Sequence, residues 1–172
     1  YSAVLLSDTA VPAWHEGQRP LPFLFAGSAM TAAAAAGLAG TAFGAPADRV
    51  PAARLAVLGT ALELAAAAAL EHRTGLAGET YREGGAGQMM RAARWLTPSG
   101  ALAALAAPRS RLAAVAAAGL LTAGAVTTRF GVFRAGPASV ADPKYVIATQ
   151  RPARPEAMAA ADDPAGPAGD GS

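Results

Sequence analysis

The chain has 172 residues, 50 of them alanine and 19 glycine, with thirteen arginines, one lysine, two histidines and no cysteine. The lack of cysteine excludes disulfide scaffolds, thiolate-bound zinc, iron–sulfur clusters and covalent c-type haem within this chain. Charged residues make up 15% of the sequence, against roughly 25% in ordinary soluble domains, and they gather at the ends of long uncharged runs.

Residues 1–14 open with the apolar run Tyr1–Ser7 and stop at Pro12. They read as the last turns of a membrane helix, so the chain is expected to be a C-terminal fragment of a longer protein. Trp14 stands where an interfacial aromatic belongs, and residues 15–20 form a short polar loop. Between Arg19 and Asp48 lie 28 residues without a formal charge. Their core, 21–44, spans about 36 Å as a helix, enough to cross a hydrocarbon layer of about 30 Å. It offers only Ser28, Thr31 and Thr41 as polar groups, too few for the wet face of a soluble helix. Its glycines suit close helix packing in lipid.

Residues 45–53 form a turn with two prolines, and a further membrane helix is expected over 50–70. Residues 71–94 are polar and glycine-rich. An interfacial or re-entrant segment is expected over 86–107, beginning as a short amphipathic helix with Met89, Met90 and Trp95 inward and Arg91 and Arg94 snorkelling. The 17 uncharged residues Leu112–Thr128 form the core of a last membrane helix over 109–130. Residues 152–172 are rich in Pro, Ala, Gly and Asp without periodicity, and read as a disordered tail. The expected fold is therefore all-α, a polytopic transmembrane helical bundle with about four membrane helices plus the interfacial segment. With 71–111 on one side of the membrane, arginine and lysine divide seven against seven, and charge gives no orientation.

Four ionisable residues stand at or near membrane depth. Glu63 has eight uncharged residues before it and seven after it. A carboxylate there costs about 2.5–3.5 kcal/mol on insertion scales, so it is expected to face the bundle interior. It reads either as a proton-relay or quinone-pocket carboxyl, or as a structural group bonded to a neighbour such as Thr60. Asp8 reads as a quinone-site or proton-entry group, or as an interfacial cap. His15 reads as a proton-exchanging group or a plain loop histidine. Arg129 reads as a cation complementing a helix C-terminus, or as a contact to an anionic partner, lipid or buried carboxylate. His15 and His72 both lie at boundaries, so paired axial ligation of a membrane haem is not expected. No phosphate-binding loop or nucleophile motif occurs, no metal ligand set is expected, and nucleic acid is not an expected partner.

The stretches Y-S-A-V-L-L-S-D-T-A-V-P-A-W-H-E (1–16) and L-P-F-L-F-A-G-S-A (21–29) resemble the NrfD/polysulfide-reductase family of membrane subunits in its actinobacterial form. So do L-E-L (62–64), G-L-A-G-E-T-Y (75–81), T-R-F-G-V-F-R-A-G (128–136) and S-V-A-D-P-K-Y (139–145). The resemblance covers residues 1–151, the expected membrane domain. It implies a multi-pass protein of the cell's inner (plasma) membrane, without a cofactor of its own. It also implies electron exchange between menaquinone and an iron–sulfur subunit of four-cluster ferredoxin type, beside a molybdopterin oxidoreductase. The family's quinone site lies largely in an N-terminal helix bundle that this sequence does not contain. Asp8, His15, Glu63 and Arg129 are then the candidates for quinone or proton chemistry. From another class, a transporter or channel would place the same carboxylates on a proton or ion path, and a third reading is a purely structural membrane anchor.

Overall fold

Proline sets the start of the first described helix. Pro20 is its N-cap and Pro22 falls in its first turn, where a missing N–H goes unnoticed, so α1 runs over Leu21–Thr41. The computed structural model describes Val11, Trp14, His15, residues 17–73, Tyr81 and residues 84–141. A short 3-10 turn at Pro46–Asp48 leads into α2, Arg49–Arg73. Helix α3 spans Gly84–Ala106, beginning on a glycine with φ +57°, and α4 spans Arg111–Ala141. The connection between them is tight, and Ser110 caps α4 by accepting the Ala113 N–H at 3.3 Å. All described secondary structure is helical.

Helices α1 and α2 pair antiparallel where side chains are smallest. A Cβ on Gly27 would lie 2.5 Å from the Glu63 nitrogen, and one on Gly59 would lie 2.8 Å from the Met30 Cβ. Helices α3 and α4 pair in the same way, with Gly100 against Leu121, Gly124 against Thr97 and Gly131 against Met90. These pairings step in opposite directions along the two chains, so α3 lies in register beside α4 over its whole length. The two pairs then pack α1 on α4 and α2 on α3. The result is an up-down four-helix bundle.

Its core divides into two clusters. Near the 42–48 and 107–110 connections the packing is almost all alanine, with Leu38 and Leu121. At the opposite end Leu21, Leu24, Leu70, Tyr81 and Val132 meet, with Trp14 against them. The Trp14 indole N–H donates to the Val132 carbonyl at 3.0 Å. We call the first the alanine end and the second the aromatic end.

Helices α1, α4 and the segment Pro46–His72 are long and apolar enough to cross a membrane. The outer surface agrees, since Phe23, Leu58, Leu102, Leu112 and Phe130 all face outward. Apolar residues on this scale around a bundle are what a lipid environment requires. The chain is a membrane protein with an all-helical bundle.

Several expectations change. The segment expected to be interfacial or re-entrant is one continuous helix, α3, which packs along α4 and is not among the helices apolar enough to cross a membrane. Pro98 lies inside it, which packed membrane helices accommodate because neighbouring groups take up the freed carbonyl. Trp95 does not point inward. It is 78% exposed, and Met90 takes the inward position. Helix α4 continues to Ala141 rather than ending near residue 130, so Arg129 lies mid-helix and caps nothing. The charge balance changes with them. The antiparallel register places Arg19, Arg73, Arg91, Arg94, Arg129 and Arg134 toward the aromatic end, and Arg49, Arg54, Arg109 and Arg111 toward the alanine end. Among the described residues the division is six to four, not even. Most of the expected helix 1–14, with Asp8, and the tail 152–172 lie outside the described residues.

Candidate functional site

Helix α2 carries Glu63 into the middle of the bundle, where only 4% of it is exposed. It lies fourteen residues from Arg49, about 21 Å along the helix, and ten from Arg73, about 15 Å. Two threonines from other helices hold the carboxyl. Thr128 on α4 donates its hydroxyl to Oε1 at 2.6 Å, and the Thr31 hydroxyl on α1 stands 3.4 Å from Oε2. The Thr31 hydroxyl is also 3.0 Å from the Ser28 carbonyl. Thr60, the neighbour expected from sequence, is not a partner, and its buried hydroxyl has no hydrogen bond.

This geometry serves both protonation states of the carboxyl without moving a heavy atom. A hydroxyl has one proton to give. When Glu63 is ionised, Thr31 gives it to Oε2. When Glu63 carries a proton, Oε2–H donates to the Thr31 oxygen and Thr31 turns its own proton to the Ser28 carbonyl. Oε1 accepts from Thr128 in either state. Removing that fixed donor with the near-isosteric Thr128→Val is expected to lower stability by about 1–2 kcal/mol. Unfolding midpoints in a mixed-detergent titration check it.

A crevice of about 210 Å³ reaches the carboxyl from the aromatic end. Its inner part is lined by Glu63, Thr97 and Thr128, and its outer part by Glu71, Arg91 and Arg94. Arg94 and Glu71 form an ion pair at 2.6 Å at the mouth. Thr97 is 1% exposed and its hydroxyl has no hydrogen-bond partner, as is also true of Ser28 beside Thr31. Buried hydroxyls left unpaired cost about 1–3 kcal/mol each, so water in the crevice is the natural partner for Thr97. The volume is ample for water.

The other candidates sit apart from this cluster. His15 is exposed and does not line the crevice. Arg129 is exposed next to Thr128, and its charge acts on Glu63 through space without a hydrogen bond. Among the described residues no group of three or more His, Asp or Glu side chains is placed to hold a metal.

Comparison with protein families, with curated proteins and with solved structures returns no match. What the site does must therefore be argued from its own chemistry and from the sequence resemblance.

One buried ion was not singled out from the sequence. Arg49 is 2% exposed and faces carbonyls, not a carboxylate. Its guanidinium donates to the carbonyls of Thr41 at 3.1 Å, Ala42 at 2.8 Å, Gly44 at 3.1 Å and Ala107 at 3.1 Å. These are the orphan acceptors at the C-terminal ends of α1 and α3, where a cation also complements both helix dipoles. The only sequence signal is an arginine just after a Pro-rich turn, which by itself reads as a boundary charge.

Proposed function

We propose that this chain belongs to a membrane-anchor subunit of a respiratory oxidoreductase complex in the plasma membrane. In this reading the complex exchanges electrons between the menaquinone pool and an iron–sulfur partner of four-cluster ferredoxin type, beside a molybdopterin subunit. Glu63 serves the protons. Quinol oxidation releases two protons with its two electrons, and quinone reduction takes up the same number, and a buried carboxyl able to hold or give a proton can serve such traffic. The observation that carries the reading is the Glu63 carboxyl, buried between two threonine hydroxyls at the inner end of a crevice. The family resemblance supplies the quinone and the partners. The crevice volume of about 210 Å³ suits water and a proton better than a quinone ring with its isoprenoid tail, in keeping with a quinone pocket elsewhere in the family's fold.

A transporter or channel would need the path to continue past Glu63. Beyond it the bundle holds close-packed alanines with Leu38 and Leu121, which favours a proton site over a through-passage. The test is Glu63→Gln in the assembled complex. Quinone-linked turnover is expected to fall at least tenfold while assembly and electron transfer from the partner to an artificial acceptor persist. Normal quinone-linked turnover in a normally assembled variant would exclude the role.

A further inference from the structure

The two halves of the bundle differ in what they let pass. From Glu63 toward the aromatic end, the crevice carries carboxylate, hydroxyl and guanidinium groups on a lining that is otherwise apolar, with Leu24, Leu64, Ala67 and Met90 between them. It follows α2 from Glu63 to Glu71, eight residues or about 12 Å, and α3 from Thr97 back to Gly87. The side chains at its mouth are partly exposed, Arg94 to 49% and Glu71 to 31%. From Glu63 toward the alanine end, Ala56, Ala104, Ala114, Ala117 and Leu121 are fully buried against one another. The end itself is closed by Arg49, whose three guanidinium nitrogens all donate to backbone carbonyls. Past the buried Thr60 hydroxyl, one turn from Glu63, the packed alanine interior offers a proton neither room for water nor a polar group to dwell on.

We propose that the crevice is a one-ended aqueous path, through which Glu63 exchanges protons with one side of the membrane only, the side of the aromatic end. The step is a simple transfer. The Glu63 carboxylic acid gives its proton to a crevice water, leaving a carboxylate and a hydronium ion, and Thr31 turns its hydroxyl from the Ser28 carbonyl to Oε2. The reverse step returns the proton by the same route. The unpaired Thr97 hydroxyl at the inner end gives that water a fixed contact. This inference deepens the reading of Glu63 as a proton-handling group, but it is tested by access and not by turnover.

The native absence of cysteine makes every introduced thiol in this chain unique. Single cysteines would be placed in the crevice (Thr97→Cys, Ala67→Cys), in the alanine half (Ala56→Cys, Ala104→Cys) and at exposed end positions (Gln18→Cys, Ala47→Cys). The intact protein in sealed vesicles of each orientation would be treated with Ag⁺, a small thiol reagent that does not cross the bilayer. Remaining thiols are then counted by mass after labelling with a permeant maleimide. Both crevice thiols are expected to react at least tenfold faster from the face that modifies Gln18→Cys than from the face that modifies Ala47→Cys. The two alanine-half thiols are expected to react from neither face. Crevice thiols that react equally from both faces, from the Ala47 face, or from neither would overturn the proposal. So would an alanine-half thiol that reacts as fast as those in the crevice. Having two positions in each half keeps the result readable if one variant misfolds. A normal turnover in Glu63→Gln with one-sided access would remove the proton role and leave the path, whereas two-sided access with slowed turnover would do the opposite.

Discussion

Arg49→Ala is expected to destabilise the bundle by about 2–6 kcal/mol, more than any other single arginine replacement. Four carbonyls depend on this side chain, and those of Ala42 and Ala107 belong to fully buried residues at two different helix ends. Truncation leaves each of those two acceptors to bear a desolvation penalty of about 1–3 kcal/mol. It also removes a cation from the negative ends of two helix dipoles. Arg49→Lys is expected to recover only part of the loss. A compact ammonium on a flexible stem does not reproduce a planar fork that spans two helices. Arg54→Ala and Arg109→Ala, at exposed positions of the same end, are expected to stay within about 0.5 kcal/mol of the parent. Helicity followed through a mixed-detergent titration gives the comparison. Equal midpoints for Arg49→Ala and Arg54→Ala would contradict the capping role.

Gly27→Leu is expected to break the α1–α2 crossing and take the Glu63 cluster with it. The Cβ alone would stand 2.5 Å from the Glu63 nitrogen and 2.8 Å from its Cα, which are backbone atoms that cannot swing away. The helices must separate, and overpacking of this kind costs about 1–3 kcal/mol for small insertions and more for large ones. Even Gly27→Ala is expected to lower the unfolding midpoint measurably. Gly40 and Gly119 have nothing within 4 Å of an added Cβ. Alanine there is expected to be neutral, or to stabilise by up to about 1 kcal/mol through helix propensity. Opposite signs at Gly27 and Gly40, measured in one titration, are the expected signature. If Glu63 has the proposed proton role, loss of quinone-linked turnover accompanies the Gly27 change, because Glu63 rides on the backbone that is displaced.

The all-helical membrane bundle was legible because uncharged stretches of helical length have few other uses. Helix α1 and the apolar part of α4 fall where charge spacing places them. Helix α3 falls close to the expected segment 86–107, but its place in the bundle along α4 was not legible. Arg91, Arg94 and Pro98 interrupt its apolar pattern, and only the small residues of α4 opposite it show why it packs into the bundle. Keeping 71–111 on one side put Arg109 and Arg111 at the wrong end and reversed the direction of α4, which carried Arg129 and Arg134 to the wrong end too, and the charge count came out even. At the site, the isolation of Glu63 among apolar residues pointed inward correctly. Its partners could not be read, because Thr31 and Thr128 lie 32 and 65 residues away and meet only through the antiparallel register. Arg49 was invisible for a related reason. Its partners are backbone carbonyls, which every residue possesses and no sequence distinguishes.

The position of Glu63 has an electrical consequence. A water-filled crevice conducts ions poorly but polarises readily, so it carries the potential of the adjoining solution inward to the carboxyl. The transmembrane voltage then falls mainly across the close-packed alanine half, the about 21 Å between Glu63 and Arg49. A full transit of one charge is worth about 2.3 kcal/mol per 100 mV, but loading Glu63 from the crevice uses little of that span. Proton occupancy of this carboxyl should therefore respond to the acidity of one compartment and hardly at all to membrane voltage.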